Sequence, residues 1–274
     1  MVTMKIDKTK PVAVVSGGLG HLGSAIGREL AHNGFSVALL HCNPSKTGTE
    51  KSEEFAALSV GLYQCDITDQ KKVCEVLLQI EKELGPIVVG IHAAHSPLVR
   101  KNVSEVDITT FEKQFTVGVF GGFNFLSEIA LLMKSRKDGI LIGITTSAIE
   151  QDPSEDSFAG YIAAKSALVG GYVAAKYALK GLLKEFAQTL KEDNIRVYAV
   201  APGFLAGGLN ADLPPRLFEF LKEKAPNGQI TEATDVAQAV ASLILCERDA
   251  RLDGLTLLVD QLSLGEDKTF TMPS

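Results

Sequence analysis

The stretch 160–181, GYIAAKSALVGGYVAAKYALKG, carries two copies of a pair that can move a proton. Tyr161 is followed four positions later by Lys165, and Tyr172 by Lys176. Residues four apart share one helical face. A free phenol has a pKa near ~10, and a neighbouring ammonium favours the phenolate, drawing that value toward neutral pH. Either pair therefore reads as a general acid–base group. The plain alternative is an amphipathic helix, on which tyrosine and lysine are common. Eleven residues make about three turns, so on an unbroken helix both pairs face one way, displaced by ~16 Å along the axis. One reacting group cannot serve both.

A second constellation lies near the N-terminus. Ser16-Gly17-Gly18-Leu19-Gly20-His21-Leu22-Gly23 follows an apolar run and precedes a good helix former, SAIGREL. Glycines let a backbone turn approach a pyrophosphate, and the helix start supplies donors and a favourable dipole. Small residues also make tight turns for packing alone. The next apolar run ends in His41-Cys42-Asn43-Pro44-Ser45-Lys46. An acid here would bond a ribose 2′-hydroxyl and repel a 2′-phosphate. With none present, Asn43, Ser45 and Lys46 can hold that phosphate, which favours NADP over NAD; a polar loop with one solvated lysine explains the same residues. Asp66 can accept from an adenine amino group or cap the helix that follows Thr68. His92 and His95 lack a third ligand at recognisable spacing, so no metal is expected.

The surrounding elements would position these groups. Apolar runs at 12–16, 36–40, 62–66, 87–91, 140–144, 196–201 and 255–260 read as strands, and the segments 24–33, 70–84, 111–134, 172–192 and 234–246 have helical periodicity. Such alternation predicts a parallel sheet with helices on both faces. Its ligands bind outside the carboxyl ends of the strands. A hydrophobic content of 46% supplies a core. The net charge of −6 without a basic run argues against nucleic acid. Cys42, Cys65, Cys74 and Cys246 show no metal-like spacing and read as reduced thiols. No apolar h-region and no uninterrupted apolar stretch of membrane length stands out, so the expectation is a soluble cytoplasmic protein.

Together the glycine turn, Cys65-Asp66-Ile67-Thr68, the Tyr-x-x-x-Lys pair and 194–203, NIRVYAVAPG, resemble the short-chain dehydrogenase/reductase family from about Pro11 to Asp260. The stretch 37–45, VALLHCNPS, is most similar to the 3-oxoacyl carrier-protein reductase branch. The resemblance implies a single Rossmann-type, doubly wound α/β domain. It implies a tyrosine that gives its proton to a carbonyl oxygen as hydride arrives from the nicotinamide, and a lysine that also holds the nicotinamide ribose. A hydroxyl after the fifth strand would polarise the substrate: Thr146 by register, Ser147 by residue type. Cofactor contacts are implied for Gly17, Gly20, His21, Leu22 and Gly23, for His41, Asn43, Ser45 and Lys46, for Asp66, Ile67, Ala93 and Ala94, for Tyr172 and Lys176, and for Pro202, Gly203 and Phe204.

The chain departs from the family pattern at several positions. Ser16 stands for a threonine and His21 for the second glycine of the turn. Asn-Asn-Ala-Gly reads His92-Ala93-Ala94-His95, and the catalytic asparagine aligns with Gly118. The threonine after Pro202-Gly203 aligns with Gly207, and Asp-Gly-Gly with Asp260-Gln261-Leu262. Since that asparagine helps hold a relay water, Gly118→Asn is expected to raise turnover if the backbone tolerates a side chain.

Between the two tyrosines, counting back from Tyr161 to Ser147 gives fourteen residues, near the family gap; counting forward from Tyr172 to Pro202 gives thirty, the family spacing. From Tyr161 the forward count is forty-one. Three surplus helical turns would overshoot strands of ~17–20 Å, whereas each doubling of a loop costs only ~0.6 kcal/mol. Gly170-Gly171 offers a bend before the helix. Tyr172 and Lys176 are the expected catalytic pair.

The domain reading is then one unit over 1–274. It has a tail at 1–10, an enlarged loop at 148–171 and a lid-like loop at 204–226 bordering an apolar or acyl substrate. The expected function is NADP(H)-dependent reduction of a carbonyl, or the reverse, by a homodimer or homotetramer. The rival readings are a catalytically weak dinucleotide-binding scaffold or sensor, and an NAD-linked alcohol dehydrogenase.

Overall fold

The computed structural model describes residues 10–42, 49–101, 103–150, 171–225, 229–246 and 253–259. Asn43, Ser45, Lys46, Tyr161, Lys165 and all of the enlarged loop but its ends lie outside the described residues.

Seven parallel strands form the sheet: β1 (Val12–Ser16), β2 (Ser36–His41), β3 (Val60–Gln64), β4 (Ile87–His92), β5 (Gly139–Ile144), β6 (Ile195–Pro202) and β7 (Thr256–Val259). Their order is β3-β2-β1-β4-β5-β6-β7. Period-two alternation divides each strand between two cores. Val12, Val14, Ala38, Leu40, Leu141 and Val197 point to one face, and Ala13, Val15, Val37, Leu39, Ile142 and Val200 to the other. This is why the strands read as continuous apolar runs rather than as alternating ones.

On the first face lie α3 (Gln70–Leu84), α4 (Ile108–Phe115) with its continuation α5 (Gly122–Lys134), and α6 (Tyr172–Thr189). The side chains that α3, α5 and α6 bury there include Ile80, Ile129 and Leu179. On the second face α1 (His21–His32) and α8 (Ala233–Leu245) pack against each other and the sheet through Ile26, Leu30, Val236 and Val240. Each such side chain, fully buried, stabilises by about 1.5–3 kcal/mol. Two further helices, α2 (Thr49–Ala57) and α7 (Pro215–Lys224), complete the α-helices among the described residues. Since the chain leaving β1 and the chain leaving β4 pass to opposite faces, a crevice opens between these neighbouring strands at their carboxyl ends.

Local boundaries differ from the sequence reading where local chemistry intervenes. The third strand is Val60–Gln64, two residues earlier than expected, following a tight turn in which Ser59 has φ 59°. Asp66 therefore falls beyond the strand. Its Oδ1 accepts from the Thr68 amide and hydroxyl at 3.0 and 2.8 Å. The cap of α3 is Asp69, which accepts from Lys72 N, and not Asp66.

The run Ile108–Lys134 is long and apolar enough to cross a membrane by length and composition, contrary to expectation. Its inner side is core: Phe125, Leu126, Ile129, Ala130 and Met133 pack on the sheet. A π-helical turn, Thr116–Gly121, interrupts it beside the crevice.

Candidate active site

The crevice holds a cavity of about 930 Å³. Its phosphate-like end is built by the β1–α1 turn. Gly17 has φ 69°, a conformation glycine adopts without strain. A Cβ on it would lie 2.7 Å from Ala94 Cα, so the turn sits directly against the strand-end residues Ala93 and Ala94. Gly20 caps α1 without a side chain, and His21, Leu22 and Gly23 form the first turn, whose amides have no intrahelical acceptor. These amides and the helix dipole face the same cavity as His41 at the end of β2 and Asp66 and Ile67 after β3. An anionic dinucleotide fits this donor set.

At the other end, α6 starts at Tyr172 after Gly171, whose φ is 89°. Gly143 in β5 lets the helix settle onto the sheet, because a Cβ there would meet Leu183 Cδ1 at 2.5 Å. That approach brings Lys176, 5% exposed, to the end of β5, where Nζ donates to Ile144 O at 2.7 Å. A hydrogen bond joins the Thr146 and Tyr172 hydroxyls. Ser147, also buried and lining the cavity, opens a short 3₁₀ turn that Thr146 caps. Of the two hydroxyl candidates, the one the structure joins to the tyrosine is Thr146. Pro202, Gly203 and Phe204 close the wall beyond β6.

Electrostatics differ from the simple picture of a lysine acidifying a tyrosine. Burial pushes the Tyr172 phenol up to about 12, opposed only by the Thr146 hydrogen bond. Burial also pushes Lys176 down to about 7. Nζ stands 5.5 Å from the centre of the Tyr172 ring, over its face, while it is bonded to Ile144 O. Desolvation therefore dominates at the phenol, and the Thr146 hydrogen bond only partly offsets it.

His92 is 1% exposed, with both ring nitrogens engaged. Nε2–H donates to Gly118 O at 3.1 Å, which leaves Nδ1 to accept from Ser16 Oγ at 2.9 Å. Burial, then the Lys176 charge, lowers its pKa to about 3. His95 meets Tyr172 edge to face at 4.9 Å and is lowered to about 3 by the same two causes.

Three features join segments far apart in the chain. Arg100 binds Asp212 through Nε and Nη2 and also reaches Leu209 O at 3.2 Å, tying the segment after β4 to the loop after β6 across the cavity mouth. His21 lies against Gly207 and Gly208, whose added Cβ atoms would come 3.4 Å from its ring and 2.9 Å from its Cβ. A Cβ on Gly118 would lie 2.9 Å from both Cδ2 and Nε2 of His95. Asparagine at 118 therefore requires the His95 ring to shift, because the ring fills that space. For the last two features the signal was in the sequence, as a histidine in each place of a motif glycine and a glycine in each place of a motif side chain.

The profile of a family described as enoyl-(acyl carrier protein) reductase matches residues 20–261. The chain belongs to the short-chain dehydrogenase/reductase family. It is thereby an NAD(P)-dependent oxidoreductase by family. Among similar proteins, a 3alpha-hydroxysteroid dehydrogenase of Mediterraneibacter gnavus is 28% identical over 235 residues, covering 83% of this chain and 87% of that protein. A 3-oxoacyl-[acyl-carrier-protein] reductase of Staphylococcus aureus is 24% identical over 243 residues, covering 88% and 92%. In fold, the chain is similar to an actinorhodin polyketide ketoreductase variant with NADPH, at TM-score 0.79, 20% identity and coverage of 93% and 97%. It is also similar to an NAD+-bound xylitol dehydrogenase, at TM-score 0.78, 21% identity and coverage of 93% and 99%.

Proposed function

We propose that this short-chain dehydrogenase/reductase reduces a carbonyl with NADPH, and that Tyr172 is the proton donor. The observation that carries this reading is the group of Tyr172, Thr146 and the buried Lys176 at one end of a cavity whose other end is a glycine turn and helix start. When bound, the dinucleotide supplies a hydride to the carbonyl carbon. On substrate binding Thr146 and Tyr172 exchange their mutual hydrogen bond for bonds to the carbonyl oxygen, and the Tyr172 O–H bond breaks as that oxygen takes the proton. With the phenol near about 12, this donor is loaded at neutral pH. The form needed for reduction is therefore the populated one there, and the rate of oxidation, which needs the phenolate, rises with pH. Lys176, near about 7, can give up and regain a proton at neutral pH, and its ammonium is the group that would hold the ribose.

The absence of an acid at the end of β2 supports NADPH over NADH: His41 is followed by Cys42, and Lys46 comes four residues after that. The names of two relatives, a 3-oxoacyl reductase and a hydroxysteroid dehydrogenase, support an apolar ketone, as do Leu98, Leu205 and Leu209 in the cavity lining. Phe120, Phe123 and Tyr177, 60%, 46% and 54% exposed on the π turn, α5 and α6, support a homo-oligomer built on that surface.

Cofactor fluorescence titration and turnover of acetoacetyl-CoA and a 3-ketosteroid test the reading. NADPH should bind more tightly than NADH, and one of the ketones should be reduced. Tighter NADH binding refutes the cofactor assignment. Tight NADPH binding with no turnover across a broad carbonyl panel favours the scaffold reading instead.

A further inference from the structure

Two imidazoles meet at Gly118. His92 approaches from the sheet and bonds its carbonyl; His95 stands against its Cα, where a Cβ would be 2.9 Å from Nε2. His95 Nδ1 donates to Ser96 O at 2.9 Å. A carbonyl only accepts, so this bond puts the His95 proton on Nδ1 and leaves a bare lone pair on Nε2. That nitrogen is buried, with no hydrogen-bond partner among the described residues. One turn earlier, Gln114 is 1% exposed and its Oε1 is likewise unpartnered, its amide nitrogen being committed to Pro97 O.

Lys176 presents the complementary deficit. Its ammonium has three hydrogens, and among the described residues only Ile144 O accepts one. It lies close enough for its charge to be felt at His95. Buried acceptors are rarely left unpartnered in folded proteins. An ordered water with two or more protein partners is the usual group that satisfies them. The His95 ring meets Tyr172 edge to face and abuts the π turn at Gly118, and Lys176 Nζ stands over the same tyrosine ring.

We propose that His95 holds a water against Lys176 and so positions the path that returns protons to Tyr172. This rests on the carbonyl-reductase reading above. After Tyr172 gives its proton to the carbonyl oxygen, the phenolate takes one from Lys176 Nζ. The resulting amine takes one from the water as that water takes one from solvent, so one solvent proton is consumed per carbonyl reduced. His95 stays neutral throughout and acts through the water, by accepting its other hydrogen. Glycine at 118 makes room for the ring, and the ring supplies the polar atom that glycine lacks.

Crystals of the NADPH complex should show a water within hydrogen-bond distance of His95 Nε2 and Lys176 Nζ. It should be gone in His95→Phe, which keeps a ring and deletes the acceptor, and retained in His95→Gln. A dry Nε2 in the wild type overturns the proposal. With a ketone that is turned over, His95→Phe should lose at least about tenfold in kcat, with the NADPH KM nearly unchanged and a larger solvent deuterium isotope effect. His95→Gln should recover most of the rate.

The exchange of sites gives a sharper check. Gly118→Asn alone should be slow, because its Cβ displaces the imidazole. His95→Gly with Gly118→Asn should be faster than either single variant; a double variant no better than the worse single one overturns the idea. If the wild type reduces no carbonyl, the reductase reading falls, and the water in the wild-type and His95→Phe structures still decides the role of His95.

Discussion

His92 should add to the protein's sensitivity to acid, and His92→Asn should remove that share, while His95, shifted alike, contributes equally in both proteins. The imidazole is 1% exposed and held neutral between Ser16 and Gly118, so its pKa falls from 6.5 to about 3. The unfolded chain therefore takes up the proton first as pH falls. The contribution to stability is whole above pH 6.5 and is lost progressively until about pH 3. The full shift corresponds to a ceiling of about 5 kcal/mol. Between about pH 7 and pH 5 the unfolded state gains about 2 kcal/mol from this one group while the folded state gains almost nothing. For a chain of this size that amounts to roughly 4–8 °C in Tm. Lys176 does not confuse the test. Lowered from 10.5 to about 7, it costs stability as pH falls through that window and contributes a constant amount below it. Asparagine at 92 carries its own packing cost, but that cost does not vary with pH. Thermal unfolding of both proteins at the two pH values should show the wild type losing the larger share. Parallel Tm-versus-pH lines would refute the claim that His92 is held neutral by burial.

Tyr172→Phe keeps the ring against His95 and deletes only the transferable proton. It should lose at least about 10²-fold in kcat with NADPH affinity nearly unchanged. Lys176→Ala should impair turnover and NADPH binding together, while Tyr161→Phe should stay within a few-fold of wild type; a dead Tyr161→Phe with a healthy Tyr172→Phe would reverse the assignment. Phe120→Asp places a charge on a side chain that is 60% exposed, so the monomer should stay folded. Light scattering should then show a smaller assembly than the wild type, and an unchanged mass would exclude this surface as the interface.

Much of the fold was present in local pattern. Apolar runs separated by helical periods required a parallel sheet covered on both faces, and Val12–Ser16 followed by a glycine turn and a helix located the phosphate-like end of the crevice. Such features depend on neighbours a few residues apart, so spacing alone expresses them. The choice of Tyr172 followed from chain geometry, and α6 begins at that residue, beside Thr146. What the sequence did not express were relations between distant segments. His95 fills the space at Gly118, His21 lies against Gly207 and Gly208, and Arg100 reaches Asp212 only because strand order brings those loops together. Read one position at a time, each histidine and each glycine was a lost function. In three dimensions the gain and the loss occupy the same space. The proton affinities of Tyr172, Lys176 and His92 were decided at the same level, since depth of burial sets them and burial is a property of the packed molecule.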